Sequence, residues 1–302
     1  MTNNSTSTLA PIVLFVYNRP WHTQQTIEAL QKNELASESE VFIFSDAAKN
    51  EQSTKKVIEV RNYIKKITGF KKITIIERDT NWGLANSIID GVTKIVNEYG
   101  KIIVLEDDLE TSPYFLKFMN ESLNIYQFDE KVACIHGYIY PIENLPETFF
   151  IRGADCWGWA TWKRGWEIFE SDGQQLLNEV KRKNLQKEAD FDNSYGYTKM
   201  LQEQIKGKNS SWAVRWYFSA FLKEMLCLYP GKSYVQNIGN DNSGTHCSIT
   251  DDYQIIFPDR YHLEKISVVE DQKSRKKMEH FFKSLQRSFL QKVLFKIKKR
   301  FL

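Results

Sequence analysis

Through the first 110 residues, strand-like apolar runs alternate with helix-like segments, and this alternation constrains the fold more than any other feature of the chain. A strand followed by a helix cannot pair with the next strand through a tight turn. Instead, the crossover lays successive strands parallel and covers their sheet with helices. Residues 12–17 read as the first strand, Asn18-Arg19-Pro20 breaks it, and Pro20 suits the start of a helix reaching about Lys32. Residues 41–45 form a second strand ending at Asp46. A polar helix from about Glu51 to Lys66 follows, with Val57, Val60, Ile64 and Ile67 at helical spacing. Residues 73–77 make a third strand, 78–83 a loop, 84–99 a helix and 101–105 a fourth strand.

The fourth strand runs directly into Glu106-Asp107-Asp108. Adjacent carboxylates repel, and at the exit of a buried strand they are partly desolvated, so each tends to rise in pKa or cost stability. A hard divalent cation with oxygen ligands, Mn2+ or Mg2+, removes that cost. The plain alternative is an acidic turn open to water. Open parallel sheets bind ligands beyond the carboxyl ends of their strands, where Asn18-Arg19, Asp46 and the acidic triplet all fall. No Gly-x-Gly-x-x-Gly follows a strand and no Gly-Lys-Ser/Thr loop occurs, which disfavours a dinucleotide-binding unit and a P-loop NTPase.

The second half is less regular and rich in aromatics. Asp155-Cys-Trp157-Gly-Trp159-Ala-Thr-Trp162-Lys-Arg-Gly-Trp166 is followed later by Ser211-Trp212-Ala213-Val-Arg215-Trp216. Trp159, Trp162 and Trp166 sit at i, i+3 and i+7, which one buried helix face explains without a ligand. Trp157, beside Asp155 and Gly158, is freer to line a site. The four cysteines lack Cys-x-x-Cys spacing, so neither a zinc site nor a disulfide framework is indicated, and a reducing compartment is the simpler reading. Residues 1–10 lack the basic start and apolar core of a secretory signal. No apolar run approaches the ~20 residues that span a bilayer.

The net charge of +3 conceals an uneven distribution, because residues 273–302 hold eleven Lys/Arg against Glu279 alone and leave the rest of the chain acidic. Nucleic-acid binding needs basic residues across the folded domain, so it is disfavoured. Within that tail Met278, Phe281, Phe282, Leu285, Phe289, Val293, Ile297 and Phe301 follow one helical face among Lys and Arg. Such a helix suits an anionic membrane surface. The plain alternative is a terminal helix packed on the domain.

Taken in order, the strand-to-Arg opening, Asp46, Asn81-x-Gly83, Val-Leu-Glu106-Asp107-Asp108-Leu-Glu-Thr-Ser-Pro113-Tyr-Phe115, Gly158-Trp159 and Val235-Gln-Asn237-Ile-Gly239 with Gly244-Thr245-His246 resemble the GT-A nucleotide-sugar glycosyltransferases. Within these, the chain is most similar to the N-acetylglucosaminyltransferase I group and to bacterial surface-polysaccharide transferases, over about residues 10–250. The resemblance implies an α/β fold of GT-A type, a Rossmann-like, mostly parallel central sheet flanked by helices, with an aromatic-rich acceptor-side half and a C-terminal amphipathic helix. It divides the chain into a flexible stretch at 1–10, a transferase domain at 11–265 (nucleotide-sugar half 11–110, acceptor half 111–265) and a basic membrane-associating tail at 266–302.

Carried over by position, Asp108 holds Mn2+ or Mg2+ on the donor diphosphate, Asp107 and Glu106 face ribose and sugar hydroxyls, Asp46 reads uracil N3–H, and Arg19 approaches the phosphates. Inverting members place a catalytic Asp where this chain has Ala213, and an alanine cannot be a base. Either another carboxylate, with Asp155 and Asp241 the candidates, does that work, or the reaction is not inverting. Trp157, Trp159, Trp212 and His246 are candidates for the acceptor side. The implied activity is metal-dependent transfer of a sugar, most often from UDP, to a glycan or lipid-linked acceptor in bacterial surface-polysaccharide synthesis. A bacterial cytoplasmic enzyme, peripheral on the inner face of the cell membrane, would account for the tail. A sugar nucleotidyltransferase and a non-catalytic carbohydrate-binding protein are the alternatives.

Overall fold

The computed structural model describes residues 8–241 and 252–298. Its strands are β1 Ile12–Val16, β2 Glu40–Ser45, β3 Lys72–Glu77, β4 Lys101–Glu106, β5 Leu109–Thr111, β6 Val132–His136, β7 Thr148–Arg152, β8 Trp159–Trp162, β9 Leu226–Pro230 and β10 Val235–Asn237. The first four helices are α1 Pro20–Gln31, α2 Glu51–Ile64, α3 Leu84–Tyr99 and α4 Phe115–Ile125. Every strand and helix expected before residue 106 is present, with ends shifted by at most two residues.

Eight strands form one sheet in the order β3-β2-β1-β4-β8-β6-β9-β7. The first four are mutually parallel. β8 runs antiparallel between β4 and β6, β9 is parallel to β6, and β7 closes the edge antiparallel to β9. All five residues of β1 are buried, as a central strand covered on both faces requires. β1 leads outward to β2 and β3 on one side, while β4 returns to its other side. The carboxyl ends of β1 and β4 therefore flank the point where strand order reverses, the crevice in which open sheets hold ligands.

Helix α2 begins with a capping box in which Asn50 and Ser53 exchange hydrogen bonds. Helix α3 ends at Gly100, whose φ of 78° is the left-handed conformation that favours glycine. Gly91 lets α3 lie tightly on the sheet, since a Cβ there would stand 2.8 Å from the Phe15 ring and 3.1 Å from that of Phe44. Gly91→Ala gains ~1 kcal/mol of helix propensity and loses ~1–3 kcal/mol to overpacking. The expected result in a denaturant titration is a net loss of up to ~2 kcal/mol.

The expectation that Trp159, Trp162 and Trp166 share one helix face is corrected. Residues Trp159–Trp162 are strand β8, and a short helix begins only at Lys163. Trp159 is 1% exposed, and its ring lies within 5.7 Å of the rings of Trp166, Trp212 and Trp216. The sheet is covered on both faces, so an apolar strand buries odd and even positions alike.

A second, two-stranded ribbon pairs β5 with β10 and lays residues 238–239 against the acidic triplet, with Ile238 N–H donating to the Asp108 carbonyl at 2.9 Å. The last helix, Gln272–Lys298, is not a free tail along its first turns. Met278 and Phe282 are buried in the core, and Arg275 is buried beside Glu270 at 3.2 Å and Glu279 at 3.5 Å. The apolar stripe at the start of this helix serves the domain. No helix among the described residues is long and apolar enough to cross a membrane.

Candidate active site

At the crevice between β1 and β4, the loop after β1 puts the Arg19 guanidinium 2.8 Å from Asp108 Oδ2 and 3.6 Å from Asp107 Oδ1. Tyr17 N–H donates to Asp107 Oδ2 at 3.3 Å, and Thr26 of α1 donates its hydroxyl to the Asp107 carbonyl. Asp107 and Asp108 are each 8% exposed. Burial, then repulsion from Asp108, pushes Asp107 up to about 7, against the pull of Arg19. The same two causes push Glu106 up to about 8. One arginine thus leaves the triplet short of positive charge.

The sign of the pH effect follows. A carboxyl whose folded-state pKa lies above its unfolded value holds its proton longer in the folded protein, so stability falls as pH rises between the two values. In chelator-treated protein the melting temperature is expected to drop from about pH 5 to about pH 8, the window set by Glu106 and Asp107. Added Mn2+ is expected to flatten that slope. A slope unchanged by either Mn2+ or Mg2+ in thermal melts speaks against a cation at the triplet.

These residues fit a divalent ion of a particular kind. Among the described residues no group of three or more His, Cys, Asp or Glu could hold a metal by itself. Two buried carboxylates short of positive charge nevertheless suit Mn2+ or Mg2+ completed by a substrate's phosphate oxygens and water. Arg19 Nε and Nη2 are buried and have no acceptor among the described residues, which leaves donors for a further anion. Gly239 closes this corner: a Cβ on it would meet Asp108 Oδ2 at 2.2 Å and Arg19 Nη2 at 2.7 Å. Asp241, two residues on, pairs with His22 of α1 at 3.0 Å. Burial, then the Arg19 charge, lowers the His22 pKa.

Asp46, expected to read the nucleobase, is held by its own chain. Its Oδ1 accepts from Ala47 and Trp82 N–H at 2.9 Å, and its Oδ2 accepts from Asn81 Nδ2 at 3.0 Å and Gly83 N–H at 2.8 Å. A carboxylate has about four acceptor sites, and here the chain fills them. Asp46 clamps the 81–83 loop and the start of α3. Arg61 of α2 braces the same region by donating to the carbonyls of Ser45, Asp46 and Arg78. Arg78 lies 3.8 Å over the Trp82 ring and is ion-paired with Asp90. Neither arginine stands out in the sequence, because each acts on backbone brought near only by folding.

Across β8 lies an aromatic enclosure around Asp155. Register pairs Val104 with Trp159, and a Cβ on Gly158 would meet Leu105 Cδ2 at 3.4 Å, so the chain before β8 packs against the end of β4. Burial raises the Cys156 thiol first, and the charges of Asp155, Glu106 and Asp108 raise it further, so the 155–157 loop borders the triplet. Asp155 Oδ2 accepts from the Tyr229 hydroxyl at 3.0 Å and Oδ1 from Cys156 N–H at 2.8 Å. The side chain keeps 18% of its surface exposed. His136 Nε2 accepts from Trp157 N–H at 3.0 Å, and burial lowers its pKa, so this imidazole is neutral and its 3.7 Å approach to Asp155 is not an ion pair. Burial, then the Asp155 charge, holds the Tyr197 and Tyr229 hydroxyls protonated.

Of the tryptophans expected on the acceptor side, only Trp157 is partly exposed, with its ring 4.8 Å from Tyr138 and 6.0 Å from Tyr253. Trp159 and Trp212 are 1% and 3% exposed and stack on each other at 5.5 Å. They form the wall behind the site and have no face for a ligand. Ala213 sits partly exposed in the first turn of the helix Trp212–Leu222, with no carboxylate to offer. His246 lies outside the described residues.

Residues 12–148 match the model of glycosyl transferase family 2. The sheet, parallel from β3 to β4 with β8 inserted antiparallel, is of GT-A type, and the match covers a little under half of the chain. That stretch spans β1 to the start of β7 and contains Arg19, Asp46 and the acidic triplet, while Asp155 and Asp241 lie beyond it. Likeness to solved structures is more distant. The chain shares 11% identity with S. aureus TarS 1-349 in complex with UDP, over 75% of this chain and 59% of that one, at a TM-score of 0.40. The mannosyltransferase PcManGT from Pyrobaculum calidifontis, in complex with GDP-Man and Mn2+, is 11% identical over 44% of this chain and 36% of that one, TM-score 0.31. A UDP-glucose pyrophosphorylase complexed with UDP-glucose is 13% identical over 74% and 90% respectively, TM-score 0.38. The chain thus spans 59% or less of TarS 1-349 and of PcManGT. No curated protein matches.

Proposed function

We propose that the chain transfers a sugar from a nucleotide-diphosphate donor to a hydroxyl of a glycan or lipid-linked acceptor, with Mn2+ or Mg2+ bound at Asp108. The observation that supports this reading is that the Arg19–Asp107–Asp108 cluster stands at the exits of β1 and β4 while the loop carrying Asp155 leads into Gly158, which packs on Leu105 near the end of β4. A divalent ion supplies charge neutralisation on the leaving diphosphate. Arg19, with two buried N–H groups free of acceptors among the described residues, binds and orients the phosphates. Glu106, the last residue of β4, faces the donor's sugar.

Asp155 takes the acceptor proton, the role in which an alanine at 213 cannot serve. Tyr229 and the Cys156 N–H hold its carboxylate in place. Asp241 is the poorer candidate for the base. It lies on the diphosphate side, where its charge acts on Arg19 and its carboxylate pairs with His22. Trp157 and Tyr253 give the acceptor an aromatic edge. The case for UDP as donor weakens with Asp46 committed to the loop, so the base is best read as open to a panel.

Incubation with UDP-, GDP- and dTDP-sugars, with and without Mn2+, tests the proposal. Slow metal-dependent release of one nucleoside diphosphate supports it. Pyrophosphate-dependent formation of a nucleoside triphosphate indicates a nucleotidyltransferase, and glycan binding without turnover indicates a lectin; either result defeats it.

A further inference from the structure

The helix Gln272–Lys298 changes character along its length. Its first turns belong to the domain: Met278 is 1% and Phe282 2% exposed. The Phe282 ring lies 4.9 Å from Tyr140 and 4.7 Å from Tyr195. Tyr140 in turn contacts Tyr138 at 5.4 Å, and Tyr138 contacts Trp157 at 4.8 Å. The helix thus backs the aromatic enclosure beside Asp155. Gln286 donates to the Ser194 carbonyl at 2.8 Å, and Lys277 to the carbonyls of Glu143 and Asn144.

Beyond Gln286 the sequence turns to another purpose. Residues 287–302 hold six Lys/Arg and no acid, with Phe289, Val293, Ile297 and Phe301 continuing at i+4 the stripe that Met278 and Phe282 begin. The helical backbone runs on for twelve residues past Gln286, about 18 Å. A stripe of large apolar residues among unopposed cations matches the headgroup region of an anionic bilayer. Nucleic acid would use the cations but leave the stripe without a partner.

We infer that this helix is an arm joining the acceptor side of the domain to an anionic lipid surface, with residues 272–286 seated in the protein and the helix beyond Gln286 in the headgroups. The consequence for the acceptor, presentation of a lipid-linked sugar beside Asp155, rests on the transfer reaction proposed above. Lipid binding itself does not.

The test uses co-sedimentation with vesicles of phosphatidylcholine alone or mixed with phosphatidylglycerol. Two variants are compared with the full chain: one ending at Gln286, and a charge reversal combining Lys292→Glu, Lys296→Glu and Lys298→Glu. The full chain is expected to bind the anionic vesicles, and both variants to lose ~100-fold or more in partitioning, as six basic residues near a charged surface imply. Both should melt near the parent temperature, because the truncation keeps Met278, Phe282 and the Gln286 bond to Ser194. If the truncated chain unfolds, the charge reversal still decides. Equal vesicle binding by full chain and variants overturns the inference, as does failure of the full chain to bind, or tighter binding to a short DNA duplex than to the vesicles. Turnover of a water-soluble acceptor, measured alongside, reports separately on the transfer reading.

Discussion

Asp108→Ala is expected to lower sugar transfer at least ~10³-fold while leaving the fold intact. Charge develops on the departing diphosphate, so the group that anchors its counter-ion acts mainly in the transition state. The substitution also removes the 2.8 Å partner of Arg19, but Asp107 remains at 3.6 Å to hold the guanidinium. Removing one carboxylate of three relieves repulsion, so the melting temperature should change little. Measurements are initial rates of nucleoside-diphosphate release against Mn2+ concentration, with thermal melts as the control. Parent-like turnover by the variant in the presence of chelator would sink the assignment of Asp108.

Asp155→Asn is expected to lower kcat by ~10²–10⁴ with the donor KM within ~3-fold of the parent. An asparagine can still accept from Cys156 N–H through its oxygen and donate its amide to the Tyr229 oxygen, so the loop keeps both contacts with one reversed, while the capacity to take a proton is lost. Asp241→Asn, altered on the diphosphate side, should move donor KM more than kcat. The reverse pattern, with kcat collapsing in Asp241→Asn and surviving in Asp155→Asn, assigns the base to the other carboxylate.

The two sets of candidate residues differed in how well the sequence foretold their places. Arg19 comes three residues after β1 and Glu106-Asp107-Asp108 forms the exit of β4, and parallel strands carry such residues to one end of the sheet, so their meeting was legible in the order of residues alone. Asp46 also reached that end. Its four hydrogen bonds could not be foreseen, because three of them come from Asn81, Trp82 and Gly83, brought to it by the β3–α3 connection. The tryptophans misled for a different reason. Spacing at i, i+3 and i+7 fits a helix, but β8 is a strand inserted antiparallel between β4 and β6, and the ladder overrode the local pattern. The aromatic tail was half legible: periodicity marked its apolar face, but only folding showed that Met278 and Phe282 turn that face into the domain.

By itself, the sequence determined the layered α/β class, the strand–helix order through residue 106 and the acidic exit of β4. These depend on periodicity and on residues adjacent in the chain, and local physics suffices for both. Tertiary structure decided which carboxylates remain available. Asp46 is consumed by its own loop, Asp108 is paired to an arginine that follows another strand, and Asp155 keeps an exposed edge beside Tyr229. Availability is a matter of hydrogen-bond partners and burial, and both are set by segments far apart in sequence that meet only when the sheet is assembled.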